Sequence, residues 1–249
     1  MSYEYDASGN LVGVTDHTGR RTSYTYDAQN RLTNMTDADG WHFLTLAYDS
    51  HSRLISARIG SATVANTIAY GVLYSTTTDH NGRIKTYRFD RDRHITSIEH
   101  HDGTEYFEYV NGRLVAETAR NGRTVRYEHD ERGNITRIIG PDGGQSVFTF
   151  NDNNLPIQID RVNPQGITTT RLYEYDTRGN VVSFTDENGN TRNFTYDAYN
   201  RLVSSTDSGN NTTQFEYDAF GRITGITNPD GGTIRTVFDA RGNPKDITK

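Results

Sequence analysis

Short stretches that alternate polar and aromatic residues recur along the chain and predict β-strands. In "TSYTYD", which starts at residue 22, every second residue shares one face, so Tyr24 and Tyr26 lie together; a period of two is that of a strand. The stretch that follows is different, because its apolar residues, Leu32 and Met35, are three apart. This spacing indicates either a β-bulge or burial of both faces of the second strand.

The same pattern occurs about twelve times, and successive copies are 19 to 25 residues apart. "YTYDAQNRLTNMTD" starts at Tyr24, and "FTYDAYNRLVSSTD" starts at Phe194. We therefore expect residues 1–249 to form a single array without a separate catalytic or toxin domain. Its least regular part, residues 44–78, is either a distorted repeat or a loop insertion. The structural repeat motif is clearest at Tyr5, Asp6, Tyr26, Asp27, Tyr175, Asp176, Tyr196, Asp197, Tyr217 and Asp218.

Each repeat contains two sequence patterns typical of tight turns. One follows the aromatic residue, as in "DASGN" at Asp6, and the other comes about ten residues later, as in "DHTG" at Asp16. Asp suits the first position of a type I turn, and Gly or Asn suits the later position where φ is positive. We predict positive φ at Asn30, Asn200 and Gly221, and backbone N–H groups bonded to Asp27, Asp197 and Asp218.

Between the turns lie six or seven residues, the length of a strand. The sequence therefore predicts an all-β fold, a curved, continuous antiparallel sheet of tandem β-hairpins. A β-propeller with six blades of about 42 residues is the alternative, but adjacent copies such as "FTYDAYNRL" and "FEYDAFGRI" are as alike as distant ones, which favours a continuous sheet. About 24 strands at roughly 4.8 Å give a ribbon of about 115 Å, enough for a partial shell only.

Composition narrows the function classes. The chain is 33% apolar, with 16 Tyr and 10 Phe to supply buried area, and its net charge is -6. An acidic chain without basic tracts gives no support for nucleic-acid binding, and no apolar run reaches the length of a membrane span. We find no signal peptide in "MSYEYD". The absence of Cys excludes disulfides and thiolate sites.

Residues that could carry chemistry fall mostly in the turn slots. Paired carboxylates would suit a glycosidase and "DADG" resembles part of a calcium loop, but both are better explained as turns. The cluster "HHDG" from His100 to Gly103 also sits at a turn. We therefore predict no catalytic, metal or cofactor site. The Tyr ladder could stack on sugar rings, or the rings of neighbouring hairpins could stack on one another, which we favour.

The consensus Tyr-x-Tyr-Asp-x-x-Gly-Arg/Asn-Leu resembles the YD repeat of the RHS (rearrangement hotspot) family. The stretch "YEYDTRGNVVSFTDENGNTRNFTYDAYNRLVSSTD", from Tyr173 to Asp207, carries it almost without departure. In that family, as in bacterial polymorphic toxins and the C components of insecticidal toxin complexes, arrays of hairpins wind into a hollow shell around a C-terminal toxin. Teneurins build an extracellular barrel from related repeats.

The resemblance implies a non-enzymatic scaffold whose partners are a toxin or effector domain or further repeats. It implies secretion or injection by a bacterial secretion system. Family members with a toxin also have an Asp-Pro-x-Gly core that cleaves itself, whereas this chain has only "GPDG" at Gly140 and "NPDG" at Asn228. We expect a piece of an array that associates edge to edge. The alternative is a surface or secreted module that binds glycan or protein through exposed aromatics.

Overall fold

The computed structural model describes residues 1–60 and 65–248, and its regular structure there consists of β-strands. Within these residues no helix is long and apolar enough to cross a membrane. Internal contacts divide the chain into two compact units, Met1–Thr124 and Val125–Lys249.

The first unit contains twelve strands that pair antiparallel in chain order. They are β1 (Ser2–Tyr5), β2 (Leu11–Thr15), β3 (Arg21–Tyr26), β4 (Leu32–Thr36), β5 (His42–Tyr48), β6 (Leu54–Ile59), β7 (Asn66–Tyr70), β8 (Tyr74–Thr78), β9 (Ile84–Phe89), β10 (Ile95–His100), β11 (Gly103–Val110) and β12 (Arg113–Thr118).

The second unit repeats this arrangement, with β13 beginning at the boundary. Its strands are β13 (Thr124–His129), β14 (Ile135–Ile139), β15 (Gln145–Phe150), β16 (Pro156–Val162), β17 (Thr168–Tyr175), β18 (Val181–Thr185), β19 (Thr191–Tyr196), β20 (Leu202–Thr206), β21 (Thr212–Tyr217), β22 (Ile223–Thr227), β23 (Thr233–Phe238) and β24 (Pro244–Thr248). The predicted all-β fold of tandem hairpins is confirmed, and pairing in chain order within each unit excludes four-stranded blades.

A β-bulge explains why apolar residues in the return strand are three apart. Tyr24 of β3 lies opposite Met35 of β4, and Tyr26 lies opposite Leu32, so Thr33 is the extra residue. Because one residue is added, Leu32 and Met35 share the face of the two tyrosines. The same shift recurs in the hairpin β21–β22, where Tyr217 lies opposite Ile223. Of the two explanations left open by the sequence, the bulge is the observed one.

The described residues of the irregular stretch 44–78 lie in the paired strands β5 to β8 and their turns, and residues 61–64 lie outside the described part of the chain. The hairpin β7–β8 pairs without a register shift, and the N–H of Gly71 donates to the carbonyl of Tyr74 at 2.8 Å in its turn. This repeat therefore differs from the others in its turn and in lacking the bulge.

The sheet buries little. Ala116 is the one buried hydrophobic residue among the described residues, and most strand residues are half-buried. The accessible surface is 16435 Å², whereas a compact protein of this mass exposes about 11,000 Å². The strand contacts within each unit join sequence neighbours. The contacts along the sheet and at its turns must therefore hold the repeats together.

Candidate functional site

The turn after each aromatic–Asp pair has a defined hydrogen-bond pattern. At Asp27, the N–H of Asn30 donates to the Asp27 carbonyl and the N–H of Asp27 donates to the Arg31 carbonyl, both at 3.0 Å. One carboxylate oxygen of Asp27, Oδ1, also accepts the N–H groups of Gln29 and Arg31 at 2.9 and 3.0 Å. This is a type I turn followed by one left-handed residue.

The left-handed residue is where the sequence predicted it. The φ angles are 59° at Asn30, 61° at Asn200 and 83° at Gly221, so that prediction is confirmed. The predicted backbone bonds to Asp27, Asp197 and Asp218 are present as well.

Both turn classes of the repeat use this one design. In each case the Asp Oδ1 accepts the N–H groups two and four residues later. The shared pattern is present at Asp6, Asp16, Asp27, Asp37, Asp49, Asp79, Asp90, Asp176, Asp186, Asp197, Asp207, Asp218 and Asp239, and with an amide oxygen at Asn151 and Asn163.

The second carboxylate oxygen connects one repeat to the next. Nε of Arg31 donates to Oδ2 of Asp27 at 2.7 Å, and its Nη1 donates to the carbonyl of Asp49, in the following repeat, at 3.1 Å. The same guanidinium lies over the ring of Tyr48, 4.7 Å from its centre. A cation over an aromatic face is attracted by the ring. Arg31 thus joins two aromatic–Asp pairs.

The second unit repeats this junction. Arg201 donates to Asp197 Oδ2 at 2.6 Å and to the carbonyl of Asp218 at 3.0 Å, and lies 4.8 Å from the ring centre of Tyr217. Arg222 lies over the ring of Phe238 in the same way, at 4.4 Å. At Tyr48, Tyr217 and Phe238 the ring contacts a guanidinium of the preceding repeat, in place of the stacking between neighbouring Tyr rings that the sequence predicted.

Asn performs the same role where Arg is absent. Nδ2 of Asn10 donates to Oδ2 of Asp6 at 2.9 Å and to Oδ1 of Asn30, twenty residues later, at 3.0 Å. Nδ2 of Asn180 likewise donates to Asp176 and to Asn200, both at 2.9 Å. The side chain of Asn10 lowers the pKa of Asp6, as that of Asn180 lowers the pKa of Asp176.

The hydroxyl of the repeated Tyr makes a third connection between repeats. Tyr26 Oη donates to the carbonyl of Leu11 at 2.8 Å, and Tyr217 Oη donates to that of Leu202 at 2.8 Å. The acceptor in each case belongs to the residue at the bulge of the preceding hairpin. Burial raises the pKa of Tyr175, whose hydroxyl donates to the carbonyl of Pro156 at 2.8 Å.

Within each unit, the structure therefore places most of the ten predicted motif residues at junctions between neighbouring repeats. Tyr5 differs, since it is 63% exposed in the first strand. Tyr196 is partly buried, and this burial raises the pKa of its hydroxyl. Sequence reasoning missed the residue four positions after the Asp, which makes the link to the next repeat. The signal was present, since Arg or Asn recurs there, as in "DAQNR" and "DASGN".

The arrangement commits these carboxylates to structure. Of the described residues, Asp90, Asp92 and His94 form the one group of three potential metal ligands, with ligand atoms within 4.8 Å of one another. Oδ1 of Asp90 already accepts two backbone N–H groups, and Oδ2 lies 3.0 Å from Nδ1 of His94. His94 therefore takes the position that Arg31 has at the turn of Asp27.

One protein-family model matches the chain, in four places. The sequence model described as the RHS repeat matches residues 5–42, 110–145, 175–212 and 196–233. The four matches together cover more than half of the chain.

Comparison with solved structures gives long but distant matches. A Photorhabdus luminescens Tc holotoxin pore that carries a TccC3 mutation covers 97% of this chain with 15% identity and a TM-score of 0.46, and the match covers 16% of that chain. A TcdB2–TccC3 complex covers 98% with 12% identity and a TM-score of 0.34, over 20% of that chain. The protein thus spans a fifth or less of these structures.

Proposed function

Because the chain belongs to the RHS repeat family, we propose that it is a structural segment of a shell that encloses or delivers a toxin or effector. One observation carries the proposal: the residues that recur in the motif are engaged in joining one repeat to the next. Asp197, Arg201 and Tyr217 illustrate this, since their side chains accept or donate at the junction of two repeats. Such residues stiffen a wall, which is what a container requires.

The same observation supports a non-enzymatic role. A glycosidase needs two carboxyl groups that are free to face a substrate. At turns such as those of Asp27 and Asp197, one carboxylate oxygen accepts backbone N–H groups of its own turn and the other accepts from Arg31 or Arg201. The partners of the segment are then a toxin or effector domain and further repeats, and its place of action is outside the producing cell.

Protease protection of the natural gene product tests this function. The coding sequence that flanks these repeats is expressed with them, and the product is treated with protease. We expect a resistant effector fragment that becomes sensitive in Arg201→Ala, because that change removes contacts between two repeats, but not in Arg91→Ala, an exposed Arg in the turn at Asp90. An effector fragment equally sensitive in the unsubstituted protein would contradict enclosure.

A second candidate function, recognition through exposed aromatics, rests on two side chains at neighbouring turns. Tyr199 is 79% exposed and Phe220 is 84% exposed. Each ring lies 5.1 Å from a guanidinium, of Arg201 and of Arg222 respectively, which holds it in place. A glycan array with Tyr199→Ala/Phe220→Ala tests this candidate, with exposed Trp41→Ala as the control. Binding that survives the double substitution would exclude these two rings.

A further inference from the structure

The first unit contains a cleft that the repeat network does not use. It has a volume of about 520 Å³ and is lined by Thr77, Arg83, Lys85, Tyr87, His100 and Arg120, among others. A cleft of this size suits a small ligand. It lies where β8 and β9 pair.

The sequence of β8 explains why there is a hollow. In a regular hairpin, Leu32 and Met35 stand opposite the two tyrosines of β3. In the hairpin β7–β8 the corresponding positions are Ser75, opposite Tyr70, and Thr77, opposite Ile68. These side chains are small and polar, so they leave the face above them unfilled, and Thr77 lines the cleft with its hydroxyl group.

Strand β9 brings a cation and a ring to the same hollow. Lys85 stands opposite Thr77, and Tyr87, two residues later, therefore shares its face. Tyr87 is half-buried and Lys85 is exposed. The cleft thus combines an ammonium group, part of an aromatic face and a hydroxyl.

The surrounding charges single out Lys85. Arg120 donates to both carboxylate oxygens of Asp102 at 2.8 Å, and His100 Nε2 lies 3.3 Å from Glu105 Oε1. The backbone N–H of Arg83 and the charges of His80 and Arg83 lower the pKa of Asp79. The carboxylate of Asp79 therefore balances part of the charge of Arg83. Lys85 has no ion pair among residues 1–60 and 65–248.

We propose that this cleft binds a sugar that carries a carboxylate or a sulfate group. Lys85, assisted by Arg83, receives the anionic group; charge-assisted hydrogen bonds are the strong ones. The hydroxyl of Thr77 meets the sugar hydroxyls, and Tyr87 offers its ring to the apolar face of the sugar. This binding site lies in the other unit from Tyr199 and Phe220, and it does not rest on the shell function.

Calorimetric titration of the whole chain with defined ligands tests the site. The ligands are an oligogalacturonate for the carboxylate, a heparin-derived oligosaccharide for the sulfate, a neutral cello-oligosaccharide and inorganic sulfate. We expect one of the two acidic oligosaccharides to bind, and the neutral sugar and inorganic sulfate to bind at least about tenfold more weakly, since each lacks part of the contacts.

Substitution of one lysine ties the binding to the cleft. Lys85→Gln should weaken the acidic oligosaccharide about tenfold, while Lys245→Gln, an exposed lysine of the second unit, should leave it unchanged. Equal weakening in both variants would show non-specific attraction and overturn the site. The proposal also fails if neither acidic oligosaccharide binds, or if inorganic sulfate or an oligoglutamate peptide binds as tightly. Both lysines are exposed, so thermal melting should show both variants folded.

Discussion

At the scale of single residues, the choice of Tyr rather than Phe at the repeated aromatic position has a physical reason. The ring of Tyr217 receives Arg201 on its face, which Phe would also allow, as Phe238 does for Arg222. The hydroxyl adds a bond that Phe cannot make, to the carbonyl of Leu202 at 2.8 Å. The hydroxyl therefore supplies a link between repeats that is separate from the cation–ring contact.

The substitution Tyr217→Phe isolates that link. We expect a loss of about 1 kcal/mol in the free energy of unfolding, the usual contribution of one such hydrogen bond. Urea unfolding followed by circular dichroism measures it. Tyr199→Phe removes a hydroxyl from a side chain that is 79% exposed, so it should change stability by less than about 0.5 kcal/mol. Equal losses in the two variants would show that the bond to Leu202 contributes nothing.

Sequence reasoning succeeded with residues whose role is local and failed with those that act on another repeat. An Asp at a turn start and an Asn with positive φ can be predicted because the turn imposes them within five residues. The contact of Arg31 with the carbonyl of Asp49 at 3.1 Å could not, because it depends on how far one hairpin is displaced from the next. That displacement is a property of the sheet, not of one repeat.

At the scale of elements, the distance from the turn Asp determines which residue of the turn is left-handed. In "DSGNN", from Asp207, the left-handed residue is Asn210, with φ 62°, and not the preceding Gly209. The position three residues after the Asp is thus left-handed even where Gly stands one place earlier. Between β11 and β12, Asn111 and Gly112 have φ 51° and 74° and close a two-residue loop of the type I′ kind. This Asn-Gly turn therefore differs from the turns that start at an Asp.

The turn carboxylates make the hairpins sensitive to acid. Burial alone would raise the pKa of Asp197, but hydrogen bonds from the backbone and side chain of Arg201 outweigh it and hold the pKa below its ordinary value of 3.8. As the pH falls, the unfolded chain therefore takes up the proton first. The stability from Asp197 is present above about pH 4 and is lost as the pH falls toward the lowered pKa of the folded state.

Two substitutions at Asp197 separate its charge from its turn bonds. Asp197→Asn keeps an Oδ1 acceptor, as Asn151 and Asn163 have, while Asp197→Ala removes it. At pH 7 we expect stability to decrease from the unsubstituted protein to the Asn variant and then to the Ala variant, in urea unfolding. At about pH 3 the difference in stability between the unsubstituted protein and Asp197→Asn should shrink, and the difference between Asp197→Asn and Asp197→Ala should remain. If the unsubstituted protein and Asp197→Asn differ equally at both pH values, the charge has no role.

At the scale of the whole molecule, each of the two units is a series of similar repeats whose strands contact their neighbours in the sequence. In such proteins stability is a sum of terms for each repeat and for each junction. Whether residues 1–249 act as a single array, and whether copies of the chain associate edge to edge, stay predictions. Strand β1 is exposed along its length, and Tyr3 and Tyr5 are 56% and 63% exposed.

Removal of one repeat from the second unit tests whether the phase of the motif, rather than any single residue, specifies the fold. Deletion of Asp197 to Tyr217, 21 residues, joins Tyr196 to Asp218 and restores an aromatic–Asp pair. Strand β19 then faces β22 in the place of β21, with Phe194 and Tyr196 substituting for Phe215 and Tyr217 opposite Ile226 and Ile223. We expect this variant to keep the far-ultraviolet circular dichroism of a β-sheet protein and to unfold cooperatively.

A deletion that is one residue shorter provides the matched control. Removal of Asp197 to Glu216 leaves Tyr196 next to Tyr217, so one residue too many separates β19 from the turn that starts at Asp218. Because a shift of one residue turns every side chain of a strand to the opposite face, the shorter deletion should be less stable in thermal melting and more readily cut by protease near the junction, although it removes fewer residues. If the two deletion variants melt at the same temperature, the phase of the repeat does not determine which strands pair, and the fold must be specified by contacts outside the motif.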